Sequence, residues 1–76
     1  MLTPSAIERV TPRQLQVLAY IGDGVSYADT ARALGISPHT VHKHIQHLRE
    51  ILSARSNAHA VALLWQASRF YLMGRS

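Results

Sequence analysis

The chain has 76 residues, with eight Lys and Arg against four Asp and Glu for a net charge of +4, five His and no Cys. A chain this short forms one small domain at most, burying about 60% of the surface its unfolded form exposes, and without Cys it lacks disulfides and thiolate metal sites as staples. Association with a second copy is therefore favoured, an isoelectric point of about 10.4 points toward a nucleic-acid partner, and a small all-helical chain offers little cavity for an enzyme.

The first ten residues are expected to be an N-terminal extension, with a short turn at Thr3 to Arg9 begun by Thr3 and Pro4. Met1 to Val10 has neither a positive leading segment nor a long apolar run, so no secretory signal is expected and the reading is cytoplasmic and nucleoid-associated. The apolar stretch Ala58 to Met73 is short for a bilayer and holds Gln66, Ser68 and Arg69, which excludes a membrane role from the reading.

The domain proper is expected over 11–73. Thr11 opens its first helix, Pro12 takes the first helical position and Gln14 completes a capping box. The helix runs to about Ile21, where Gly22, Asp23 and Gly24 break it, and Leu15, Val17, Leu18 and Ile21 form its expected inward stripe.

Ser26 to Leu52 reads as two helices joined by a very short turn. Ser26 stands three residues before Asp29 in a capping-box arrangement, Ala31 and Leu34 face the interior, and Gly35 stops the helix where a left-handed residue is wanted. Ile36 plugs the corner and Ser37 caps the next helix, which starts at Pro38 and extends to about Ser53. A connection of about three residues is the length found in DNA-binding helix pairs. Val41, Ile45, Leu48 and Leu52 recur at helical spacing and must face the core, leaving His39, His42, Lys43, Gln46, His47 and Arg49 mostly outside.

The fourth helix is expected from Asn57, a good cap residue, to about Met73. Apolar residues occupy nearly its whole circumference, with Gln66 and Arg69 as the distinct polar sector. So small a domain cannot cover that much surface alone, so a second molecule is expected on it. The expected homodimer interface is Ala62, Leu63, Leu64, Trp65 and Phe70, with the division between core face and partner face left open.

Val10-Thr11-Pro12-Arg13, Val17-Leu18, Gly24-Val25-Ser26, Ala31, Leu34-Gly35-Ile36-Ser37, Thr40-Val41, His44, Leu52, Arg55 and Ala60-Val61 together resemble the four-helix DNA-binding domain of LuxR/FixJ/GerE-type bacterial transcription regulators. The resemblance covers roughly residues 10 to 70 and resides in many positions at fixed spacing. It implies an all-α helix-turn-helix fold, major-groove binding by the third helix and dimerisation largely through the fourth. Most relatives attach this domain to a receiver or ligand-sensing domain, so the chain resembles the small stand-alone members. Gln14 and Gln16 replace the two acidic residues usual in the first helix, Thr30 an apolar residue of the second, His42 the usual Lys after Thr-Val, and Ile51 the usual Lys before the last Leu.

In helix-turn-helix docking the N-terminal half of the second helix of the pair faces base edges, so His39, His42, Lys43 and Gln46 are the expected base readers of double-stranded DNA. Lys43 can donate to guanine O6 or N7, and Gln46 can bond adenine bidentately. Thr40, His47, Arg49 and Arg55 are expected on phosphates, joined by Ser26 and Tyr27 at a helix start whose amides attract anions. The exposed imidazoles would make such contacts sensitive to pH, whereas His44 is expected to pack near the second helix.

The pairs His39/His42 and His44/His47 point in different directions and lack Cys or carboxylate company, so neither a metal nor any other cofactor is expected. No nucleophile turn accompanies the Ser, Asp and His residues, so no catalysis is expected. Two rival readings stand beside a homodimeric transcription regulator, for which RNA polymerase or another regulator is a further partner. One is a domain like the promoter-reading fourth region of sigma factors, which tends to end near the reading helix. The other is a protein-interaction adaptor or antagonist that uses the fourth helix to occupy a larger regulator's dimerisation face.

Overall fold

In the computed structural model of the protein the backbone is described over residues 4–74 and the side chains at residues 6 and 8–66. The described residues form five helices and no strand: α1 (Pro4–Arg9), α2 (Pro12–Gly22), α3 (Tyr27–Leu34), α4 (Pro38–Leu52) and α5 (Asn57–Gly74). The short α1 takes the place of the expected leading turn, whose first residue, Thr3, lies outside the described residues.

The starts of α2, α3, α4 and α5 are each closed by a side chain. Thr11 Oγ1 accepts from the Gln14 amide at 3.1 Å while Gln14 Oε1 accepts from the Thr11 amide at 2.9 Å, a complete capping box. Ser26 Oγ accepts from the Asp29 amide, and the Asp29 carboxylate turns to Arg32 at 3.3 Å. Ser37 Oγ accepts from the Thr40 amide. At α5 the cap is Ser56, whose Oγ accepts from the His59 amide at 3.0 Å. Asn57, expected as that cap, instead spends its side-chain amide on Tyr27.

The helix ends repeat one device. After α2, α3 and α4 the chain passes through a left-handed residue, Gly24 (φ +87°), Gly35 (φ +69°) and Ser53 (φ +54°). The next amide reaches back five residues: Val25 to Tyr20, Ile36 to Ala31 and Ala54 to Arg49, at 2.9 to 3.0 Å. This is the Schellman closure, which satisfies carbonyls the helix leaves open. The three residues between Leu34 and Pro38 thus form a closed corner, and the half-buried Ile36 packs against the core.

The core centres on α4. Val41, Ile45, Leu48 and Leu52 are buried with Val17 and Leu18 of α2, Ala31 of α3 and Ala60 of α5, and α1, α2, α3 and α5 all pack against α4. The α2 stripe differs from expectation by one position. Leu15 is 45% exposed, whereas Gln14 is 3% exposed, because residues 14, 17, 18 and 21 share one face and both ends of the Gln14 amide find partners inside. Ile51, where the resemblance has a Lys, is buried. A side chain added at Gly22 would meet Val61 Cγ2 at 3.3 Å, so this Gly lets α5 approach α2 closely.

Thr30 is fully buried and its Oγ1 has no hydrogen-bond partner. A buried hydroxyl left without a partner costs about 1 to 3 kcal/mol, and Val has nearly the same shape and the same branching at Cβ. Thr30→Val is therefore expected to stabilise the fold by about 1 kcal/mol in a urea titration. A loss of stability would mean that the hydroxyl finds a partner in solution.

Candidate nucleic-acid interface

Burying Val41, Ile45, Leu48 and Leu52 turns the opposite face of α4 outward. His39, His42, Lys43 and Gln46 are all exposed on it. Lys43 lies one helical turn from His39 and from Gln46, so the four side chains occupy adjoining positions over the first half of the helix. Among the described residues His39, Lys43 and Gln46 find no side-chain hydrogen-bond or ion-pair partner, leaving their donors and acceptors open to an external one. His42 sits beside Tyr27, with ring centroids 6.1 Å apart and planes at 44°.

The residues expected on phosphates are held more tightly. Tyr27 is half-buried at the start of α3, and its hydroxyl accepts from Asn57 Nδ2 at 3.0 Å, which ties the start of α3 to the start of α5. That hydroxyl keeps its own proton for donation. Ser26 is exposed and among the described residues accepts only the capping amide, which leaves its proton for donation as well. Thr40 is half-buried with its hydroxyl 2.9 Å from that of Ser37.

Arg49 is half-buried, and its Nη2 donates to the Arg55 carbonyl at 2.7 Å, while its Nε is buried without a partner. The Arg55 amide in turn donates to His59 Nδ1 at 3.0 Å. Arg49 and His59 therefore clamp the turn between α4 and α5 from both sides. That clamp fixes the backbone carrying the exposed Arg55 side chain, and Arg49 spends one arm of its guanidinium on it.

His47 is exposed, but its Nδ1 lies 3.3 Å from Gln14 Nε2, within hydrogen-bond reach. His44 is half-buried on the flank of α4. Sequence reasoning missed the partners of these groups: Gln14 for His47, Asn57 for Tyr27 and His59 for Arg55. The first two are separated by 33 and 30 positions, with no periodic signal linking them. His59 is only four residues from Arg55, and the amide it accepts becomes available because Arg55 precedes the helix.

On α5, Leu63 and Leu64 are half-buried and pack against the core, whereas Ala62 is exposed, Val61 is 37% exposed and Trp65 is 66% exposed. The expected interface residues thus divide into Leu63 and Leu64 facing inward and Ala62 and Trp65 facing outward. The Phe70 side chain lies outside the described residues.

Among the described residues no group of three or more His, Cys, Asp or Glu is placed to hold a metal ion, and no helix is long and apolar enough to cross a membrane. No curated protein and no solved structure shows a significant match to the chain. Residues 8–64 match the family described as "Bacterial regulatory proteins, luxR family", a span that runs from α1 into α5 and includes the whole capped helix pair with its outward polar face. The chain therefore belongs to the luxR family, whose members are DNA-binding transcription regulators built on this helix-turn-helix.

Proposed function

We propose that the protein is a sequence-specific DNA-binding transcription regulator that lays α4 in the major groove and acts as a homodimer through α5. The observation that carries the reading is the set of side chains at 39, 42, 43 and 46, exposed together on a helix whose opposite face is locked into the core. A solvated polar face needs no such company, but this one stands on a capped three-residue corner, with Tyr27 beside His42 and Thr40 in the first turn of the same helix. His39, His42, Lys43 and Gln46 read base edges, while Ser26, Tyr27, Thr40, His47, Arg49 and Arg55 position the domain on phosphates. RNA polymerase or another regulator is then a further partner. The sigma-factor reading is set aside because α5 continues for 18 residues beyond the turn after α4.

Dimerisation is supported by Trp65, whose ring presents a large apolar area to solvent beside Val61 and Ala62. The same face would serve an adaptor that occupies a larger regulator, so two measurements are needed. A fluorescence titration with random-sequence duplex at two salt concentrations is expected to show binding that weakens steeply with salt, with log K falling by about 0.9 per phosphate contact for each decade. Absence of binding at low salt would favour the adaptor. Sedimentation at tens of micromolar is expected to show a dimer for the unaltered chain and a monomer for Trp65→Glu. A monomer in both would remove the proposed use of α5.

A further inference from the structure

Gln14 sits at the third position of α2, is buried and joins two hydrogen bonds of different kinds. Its Oε1 accepts from the Thr11 amide at 2.9 Å. A backbone amide can only donate, so the atom facing Thr11 must be the oxygen and the side-chain amide cannot be turned over. Its Nε2, which only donates, therefore faces His47 Nδ1 at 3.3 Å. Two donors cannot bond each other, so Nδ1 must be the bare nitrogen, and the neutral ring carries its proton on Nε2. The chain of constraint runs from the α2 cap, through the buried amide, to an exposed imidazole on α4. His47 follows Lys43 by one turn on that helix, adjoining the outward face.

We propose that Gln14 is a positioning residue for the DNA interface: it holds His47 in the Nε2–H tautomer and in a fixed orientation, so that a neutral imidazole presents a donor to a backbone phosphate oxygen. This rests on the reading of α4 as the DNA-facing helix. An unconstrained imidazole would present either nitrogen, and a bare nitrogen turned toward a phosphate would repel it. The capping box thereby does more than start α2. It decides which end of an α4 side chain is a donor.

Gln14→Glu provides the test because a carboxylate still accepts from the Thr11 amide and keeps the cap, but offers His47 an acceptor where Gln offers a donor. Nitrogen-15 spectroscopy of the imidazoles in the free protein at about pH 8 is expected to place the His47 proton on Nε2 in the unaltered chain and to place a proton on Nδ1 in Gln14→Glu. An Nδ1 that stays bare in the variant overturns the proposal, whatever the DNA result. The DNA arm uses random-sequence duplex: His47→Ala and Gln14→Glu are each expected to weaken binding by about 3- to 10-fold. The double variant is expected to lose less than the product of the two. Independent, multiplying losses would overturn the proposal, as would full affinity in His47→Ala. If the unaltered chain fails to bind any duplex, the DNA reading itself falls. That failure is distinguishable, because the tautomer is read without DNA.

Discussion

Lys43→Ala and Gln46→Ala are each expected to weaken binding to the preferred duplex by about 1 to 3 kcal/mol, roughly 5- to 150-fold, while changing affinity for random duplex far less. Both side chains are exposed on α4 and make no hydrogen bond to the described residues, so their removal is expected to leave the fold intact and to delete only what they offer to a partner. Arg55→Ala is expected to behave differently. Its backbone is held by Arg49 and His59 and its side chain points away from the packed core into solvent, so truncation should weaken all sequences alike and reduce the salt slope by about one. The contrast between the two classes matters more than either magnitude. Equal losses on preferred and random DNA for all three variants would show that the reading face has been misassigned.

The second large effect is on stability. Leu48 is fully buried on α4, the helix against which α1, α2, α3 and α5 pack. Leu48→Ala is expected to cost about 2 to 5 kcal/mol, the range for a large-to-small change at a site that cannot collapse. A domain of this size has a total stability of roughly 4 to 11 kcal/mol, so the change removes a large share of it. The midpoint of thermal unfolding followed by circular dichroism should fall by about 10 to 30 °C at fixed protein concentration, which must be held constant because the proposed dimerisation would contribute to it. Leu15→Ala, at an exposed apolar position on α2, is expected to change stability by less than about 1 kcal/mol. Comparable losses at both positions would contradict the placement of the core.

The helices were legible in the sequence because their ends carry unambiguous local chemistry. Thr11, Ser26 and Ser37 cap as their spacing implies, Gly35 makes the left-handed corner, and the α4 stripe of Val41, Ile45, Leu48 and Leu52 is buried as its period requires. The departures occur where a polar group is satisfied by something distant. Hydropathy favours Leu15 over Gln14 as an inward residue, yet the helix buries Gln14, since an amide with partners at both ends costs little to bury. Asn57 has the composition of a cap and does a different job, because Ser56 reaches the same amides first.

The candidate site was legible as a face, since exposure on α4 follows from the core positions. It was not legible as a network. That Tyr27 is tied to α5 and that His47 leans on α2 depend on how helices far apart in the chain are placed against one another. The Arg49 clamp on the Arg55 carbonyl is local and depends on the geometry of the turn after α4. On α5 the sequence had no periodic stripe to divide core from exposed face. The fold turns Leu63 and Leu64 inward and leaves Trp65 exposed.

On the proposed reading the outward face of α4 is the surface that meets DNA bases. The most direct test is a two-dimensional nitrogen–proton spectrum of the isotopically labelled protein, titrated with a duplex selected from a random oligonucleotide pool. The largest side-chain and amide shifts are expected on His39, His42, Lys43 and Gln46, with smaller ones at Ser26, Tyr27, Thr40, His47, Arg49 and Arg55 and little change on the outward face of α5. Shifts concentrated at Val61, Ala62 and Trp65, with His39 to Gln46 unmoved at saturating duplex, would contradict it.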